Sequence, residues 1–210
     1  MINNFSPNML KTYQTCPKKF YYKYIENINV PQSSTPFEKG KKIHALANYC
    51  MQGINIDRIK TALNKEEQKV WNLLLKNSYF NKDKFKSEFT LTCRLSDIWI
   101  GGRLDAIVQD FDKFYILDYK TGSAPKNAKY DYQTMIYLLC ADKYLKDYGA
   151  LSFVYIDLKN DKNEIIELNQ NLKTEYESKI ISACKKINSD TIYQCNTEEC
   201  ARCEYKKFCN

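Results

Sequence analysis

Residues 98–120 read I-W-I-G-G-R-L-D-A-I-V-Q-D-F-D-K-F-Y-I-L-D-Y-K. Two apolar runs flank the short polar stretch Phe111-Asp112-Lys113. This predicts strands over 98–109 and 114–120 joined by a hairpin turn. Residues two apart on a strand share a side, so Asp118 and Lys120 project together. The chain then leaves through Thr121-Gly122-Ser123, a turn sequence. Asp105 interrupts the apolar run from Leu104 to Val108, where a carboxylate is costly unless paired or metal-bound. Asp105 and Asp118 lie seven and six residues from Asp112, which makes them near neighbours across the hairpin. A slip of one residue in the register would flip one of them to the other face. Such a carboxylate can hold a hard cation, and the ammonium can orient water or offset phosphate charge. The same residues also fit a surface hairpin that carries an Asp–Lys pair.

Outward from the hairpin, residues 85–95 form a further predicted strand, rich in Phe, Thr and Leu. Ser6-Pro7 marks a helix start that runs to residue 24, because Ser6 can cap and Pro7 suits the first turn. Residues 30–36, with two Pro and two Ser, read as a loop. Helices are expected over 37–51 and 56–76, and again over 128–148. A strand pair over 151–158 and 164–168 precedes a helix over 172–187. The tail 193–210 is rich in Cys and lacks regular pattern. The order of helices, strands, helix, strand pair and helix implies a mixed α/β (α+β) layered domain built on a central sheet.

The length of 210 residues fits one domain, and 44% hydrophobic with 27% charged residues excludes global disorder. A net charge of +7, spread without a dense block, is compatible with a polyanionic partner. The 17 Tyr imply phenols at surfaces or in grooves, since a buried phenol needs a partner. Residues 1–10 show no signal-peptide pattern, and the apolar run 135–141 is too short to span a bilayer. A soluble cytoplasmic protein is expected, in which the clustered ones among nine Cys point to a metal site before disulfides.

His44 is the only histidine and follows Gly40 by one helical turn, which leaves room beside the imidazole. A single helical His is equally compatible with a structural role. Gln133 and Tyr137 are four apart and share a helix face. They could brace the lysine or touch a phosphate, or pack as a helix edge on the sheet.

Taken in order, Cys16-Pro17, Gly40-x3-His44, Gly102-x2-Asp105, Asp118-x-Lys120, Gln133-x3-Tyr137 and a Cys-rich tail run through nearly the whole chain. The series resembles the RecB-like branch of the PD-(D/E)xK nucleases. It resembles the subset with a terminal iron–sulfur cluster, which includes the CRISPR-associated RecB-type exonucleases and the AddB-type nuclease domains. The resemblance implies a restriction-endonuclease-like sheet flanked by helices. It implies that His44, Asp105, Asp118 and the carbonyl of Tyr119 bind Mg²⁺ or Mn²⁺. Lys120 is then the catalytic lysine, with Gln133 and Tyr137 supporting the site. Glu88 lies on the first strand, where family members can carry an acidic residue.

The tail supplies Cys200-x2-Cys203-x5-Cys209, and the resembling family takes its first ligand from the position of Cys16. Four thiolates suit a [4Fe–4S] cluster, and equally a Zn²⁺ ion. Cys195 is the rival ligand. Such a centre would join residues 1–25 to 190–210 and close a very long loop. Cys50, Cys93, Cys140 and Cys184 are expected as buried, inert thiols. The implied function is a metal-dependent DNA exonuclease acting on single strands or ends. A structure-specific or nonspecific endonuclease, or a non-catalytic DNA-binding subunit of a CRISPR, repair or phage recombination complex, are the alternatives.

Overall fold

The computed structural model describes residues 1–31 and 35–209, and the side chains of residues 32–39 lie outside that description. Its centre is a six-stranded mixed sheet. The hairpin read from the sequence is there: β3 (Ile98–Asp110) and β4 (Lys113–Lys120) pair antiparallel from Ala106↔Leu117 to Asp110↔Lys113. The turn between them holds Phe111 at a φ of 54°. β2 (Asp83–Leu95) runs antiparallel along the whole of one edge of β3. The other edge of β3 meets the short parallel β1 (Asn4–Phe5) at Trp99 and Ile100, then β4 from Ala106 onward. Beyond β4 come the parallel β5 (Ala150–Asp157) and the antiparallel β6 (Lys162–Glu167). Residues 101–105 of β3 therefore have no ladder partner on the β1/β4 edge, and this gap holds the site.

Helices cover both faces of the sheet. On one face, Leu104, Ile107, Ile116 and Phe153 pack with Leu10 of α1 (Pro7–Thr15), Ile136 of α6 (Tyr132–Tyr144) and Ile180 of α7 (Gln170–Ser189). On the other, Ala106, Val108, Leu117 and Ile156 pack with Ile43 of α3 (Thr35–Met51) and Trp71 of α5 (Lys65–Lys76). Regular pleating would put Leu104 and Ala106 on one face. They enter opposite cores, so β3 changes phase at Asp105. Across the ladder, Ser87↔Ala106 and Phe89↔Leu104 flank Glu88, whose φ is 47°. The irregularity of the two strands thus coincides with the two carboxylates.

Three expected helices are broken by local caps. Pro17 cannot donate a backbone N–H and holds Cys16 extended at φ −159°, so the first helix ends at Thr15. A new helix, α2 (Pro17–Phe20), starts with the Cys16 thiol accepting from the Lys19 N–H at 3.4 Å and passes into a π-helical turn at Tyr21–Ile25. In the second, α4 (Asp57–Lys60) is separated from α5 by Asn64. Its side chain accepts from the N–H groups of Glu66 and Glu67 while Glu67 returns a bond to the Asn64 N–H. In the third, Asp131 caps α6 by accepting from the Gln133 N–H, leaving a single 3-10 turn at Ala128–Tyr130 ahead of it. The expected loop over 30–36 falls in part outside the described residues. β1 was not expected at all. Among the described residues, no helix is long and apolar enough to cross a membrane.

Candidate active site

His44 reaches in from α3 toward the gap between β3 and β4. Its Nδ1 lies 3.0 Å from Asp105 Oδ1 and its Nε2 lies 2.8 Å from the Tyr119 carbonyl oxygen. Both ring nitrogens face acceptors, an arrangement an imidazolium satisfies completely. Burial opposes that charge, but the hydrogen bond and charge of Asp105, the charge of Asp118 and the Tyr119 carbonyl outweigh it, so the His44 pKa is raised. The second oxygen of Asp105 accepts from the Tyr119 N–H at 2.9 Å. The Asp105 carboxylate thereby takes over from the backbone ladder at the point where the strands part.

On the adjacent side, Asp118 is buried with 4% of its surface exposed. Gln133 Nε2 donates to its Oδ1 at 2.6 Å, and Lys120 Nζ sits 2.7 Å from its Oδ2. The ammonium is the partner of this buried oxygen. Lys120 Nζ also donates to Gln133 Oε1 at 3.2 Å. Burial first, then the charge of Asp105, push the Asp118 carboxyl above its ordinary range, against the pull of Lys120 and His44. A group whose charge is held back in this way is primed for a cation.

The first shell of a divalent ion needs several oxygens or nitrogens converging on one point. Ligand atoms of His44, Glu88 and Asp105 lie within 4.8 Å of one another. Asp118 lies outside that triplet, its carboxylate held by Gln133 and Lys120, and the imidazole with two carboxylates fits a hard or borderline divalent cation. Glu88 is currently ion-paired with Arg103. Sequence reasoning gave Glu88 only a minor place and did not single out Arg103 as its partner. A single acidic residue on a strand carries no spacing signal. The cleft over these groups has a volume of about 610 Å³ and is lined by Tyr49, His44, Glu88, Arg103, Lys120 and Thr121.

Gln133 does brace the lysine. Tyr137 serves differently: its hydroxyl donates to the Arg103 carbonyl at 2.8 Å, filling one of the acceptors that β3 leaves unpaired. A Cβ at Gly102 would lie 2.9 Å from that hydroxyl, so a larger residue there would displace the Tyr137 side chain. Burial raises the Tyr137 pKa strongly and keeps it a neutral donor. The space at Gly40 is taken by the Thr121 side chain, whose Oγ1 would sit 3.3 Å from an added Cβ. The glycine thus admits the loop that follows Lys120, where room beside the imidazole was expected.

That loop is pinned by Asp157, a residue the sequence did not flag. Asp157 is 1% exposed and accepts from the N–H groups of Ala124, Lys159 and Asn160 and from the Asn160 side chain. Next to it, the Leu158 N–H holds the Lys120 carbonyl at 2.9 Å. Burial works against the Asp157 charge, but these donors outweigh it and draw the carboxyl below its usual range. A depressed folded value means that its stabilisation is complete above the unfolded carboxylate value and is lost as pH falls through the folded one. Replacing Asp157 with Ala is expected to cost about 3 kcal/mol. It should also flatten the acid limb of the stability curve, as measured by urea unfolding across pH.

The cysteines of the tail lie beside Cys16. Cys16, Cys195, Cys200, Cys203 and Cys209 line one small cavity of about 40 Å³. Cys195 Sγ is 3.3 Å from Cys200 Sγ, so the rival ligand is at the same place. Cys93, Cys140 and Cys184 are buried, whereas Cys50 is only half-buried because it lies at the rim of its core.

Residues 4–88 and 61–210 match the model of the PD-(D/E)XK nuclease superfamily. The chain belongs to the PD-(D/E)XK nuclease superfamily. Within it, the chain is 21% identical over 207 residues to the CRISPR-associated exonuclease Cas4 of Francisella tularensis subsp. novicida (strain U112), covering 97% of this chain and 92% of that one. The fold is also similar to the crystal structure of a candidate exonuclease from Eubacterium rectale, with a TM-score of 0.61 and 12% identity over 99% of this chain and 88% of the other.

Proposed function

We propose that the chain is a metal-dependent deoxyribonuclease that removes nucleotides from DNA ends, preferably of single strands. The observation that carries this reading is the convergence of His44, Asp105, Asp118, Lys120 and Gln133 at the break between β3 and β4. The Cas4 relative adds the exonuclease expectation and the link to a CRISPR complex. His44, Glu88, Asp105, Asp118 and the Tyr119 carbonyl are the groups that would hold Mg²⁺ or Mn²⁺. Bound there, the ion would acidify a water and neutralise the scissile phosphate. The imidazole in this set favours Mn²⁺ over Mg²⁺, so both should support cleavage, with Mn²⁺ better. Lys120, anchored by Gln133, orients the attacking water and offsets charge on the phosphate. Arg103, 65% exposed at its side chain, is free to turn from Glu88 to a neighbouring phosphate.

Linear and circular single strands of the same sequence separate this reading from an endonuclease. Degradation of the linear form alone supports it, and equal loss of the circle contradicts it.

The same reading makes the chain one domain whose residues 1–25 and 190–210 are tied by a [4Fe–4S] cluster on Cys16, Cys200, Cys203 and Cys209. A tetrahedral zinc site would place thiolates about 3.8 Å apart. Four thiolates suit either centre, and the resemblance to members with a terminal iron–sulfur cluster favours [4Fe–4S]. A cross-link of this span stabilises by roughly 4–5 kcal/mol. Cys16→Ser is therefore expected to bleach the brown protein and lower its melting temperature. A colourless wild type that carries zinc would move the assignment to Zn²⁺.

A further inference from the structure

A second cleft, of about 620 Å³, lies between α1, the start of α6 and α7. It is on the size scale of ligand-binding sites, and no element of the superfamily motif accounts for it. Its walls combine phenol rings with lysines. Lys179 Nζ lies 4.9 Å and Lys129 Nζ 5.3 Å from the centroid of the Tyr130 ring. Tyr13 and Tyr132 add further half-buried or buried rings. Along α7, Ser178, Ser182 and Lys186 follow at four-residue steps, so one exposed helix face offers two small hydroxyls and then a cation.

The acids near this cleft are already engaged. Glu175 accepts from the Tyr130 hydroxyl at 3.3 Å and pairs with Lys179 at 3.6 Å. Asp131 pairs with Lys11 at 2.8 Å and caps α6, and Asp190 accepts from the Tyr13 hydroxyl. Four lysines, at positions 11, 129, 179 and 186, stand against these three carboxylates.

The cleft is joined to the active site by consecutive residues. Tyr132 lines it, and Gln133 holds Asp118 and Lys120. One helical turn, fixed by the Asp131 cap, therefore positions both.

Phenol faces interleaved with cations are the surface that single-stranded nucleic acid selects, because every base has a π-face and every linkage a charge. We propose that this cleft holds the single strand adjoining the scissile phosphate, with a base on Tyr130 and backbone phosphates against Lys179 and Lys186. The proposal rests on the nuclease reading and extends it from the catalytic gap to a specific path for the strand.

Fluorescence anisotropy of a labelled thymidine strand of about 12 nucleotides, in EDTA to prevent cleavage, tests it. With Lys179→Ala/Lys186→Ala, the slope of log affinity against log salt should become shallower by about 1.4, for two lost phosphate contacts. Tyr130→Ala should weaken binding about tenfold, whereas Tyr130→Phe, which keeps the ring, should bind like wild type. Lys179 and Lys186 are exposed, so their double variant should keep the wild-type melting temperature. Variants that bind with wild-type affinity and slope would overturn the path and leave the cleft to a peptide partner. A wild type without affinity for the strand would overturn the nuclease reading as well.

Discussion

Asp105→Ala should lose divalent-ion binding and at least about 10⁴-fold in cleavage rate, the largest effect expected of any single change. Asp105 does three things at once. Its Oδ1 faces His44, its Oδ2 accepts the Tyr119 N–H, and its charge belongs to the His44–Glu88–Asp105 group. Removing a ligand from such a group dissolves the site as a unit, so the loss should resemble that of the whole constellation. The change also strands the Tyr119 N–H, adding about 2 kcal/mol of destabilisation. Asp105→Asn separates these contributions. It retains an acceptor for Tyr119 and much of the stability, yet removes the charge and with it the metal. Calorimetric titration with Mn²⁺, beside a urea melt, reads the two effects. An Asp105→Ala protein that binds Mn²⁺ as tightly as wild type would show that the ion sits elsewhere.

Lys120→Ala should reduce the rate about 10³-fold while leaving Mn²⁺ affinity within a few-fold of wild type. The lysine ammonium touches Asp118 and Gln133 but is not itself an ion ligand. Its removal relieves Asp118 of one of the charges that oppose its protonation, so metal binding should shift to slightly higher pH. Single-turnover rates at saturating Mn²⁺ isolate the chemical step from binding. A rate near wild type would assign the lysine a structural pairing with Asp118 and nothing more.

The hairpin that decides the fold was legible because two apolar runs flank a short turn at Phe111 and Asp112. Asp118 and Lys120 were legible for the same reason, and Gln133 with Tyr137 through their four-residue step. The breaks within helices were not, because each depends on a side chain competing for backbone donors: the Cys16 thiol, Asn64 and Asp131. The phase change of β3 at Asp105 leaves no composition signal, since no proline or glycine marks it. It arises from the carboxylate replacing the ladder and from Glu88 at positive φ across the strand pair. Glu88, Arg103 and Asp157 acquire meaning only through partners remote in sequence or held by the fold. A strand of two residues, Asn4–Phe5, is too short for any pattern to announce.

Incubation of end-labelled linear single-stranded DNA with wild-type protein, purified without oxygen and assayed in Mn²⁺ and then in EDTA, tests the central claim most directly. The account predicts progressive shortening from an end in Mn²⁺ and none in EDTA. Cleavage that persists in EDTA, or an intact strand with Mn²⁺ demonstrably bound, would contradict it.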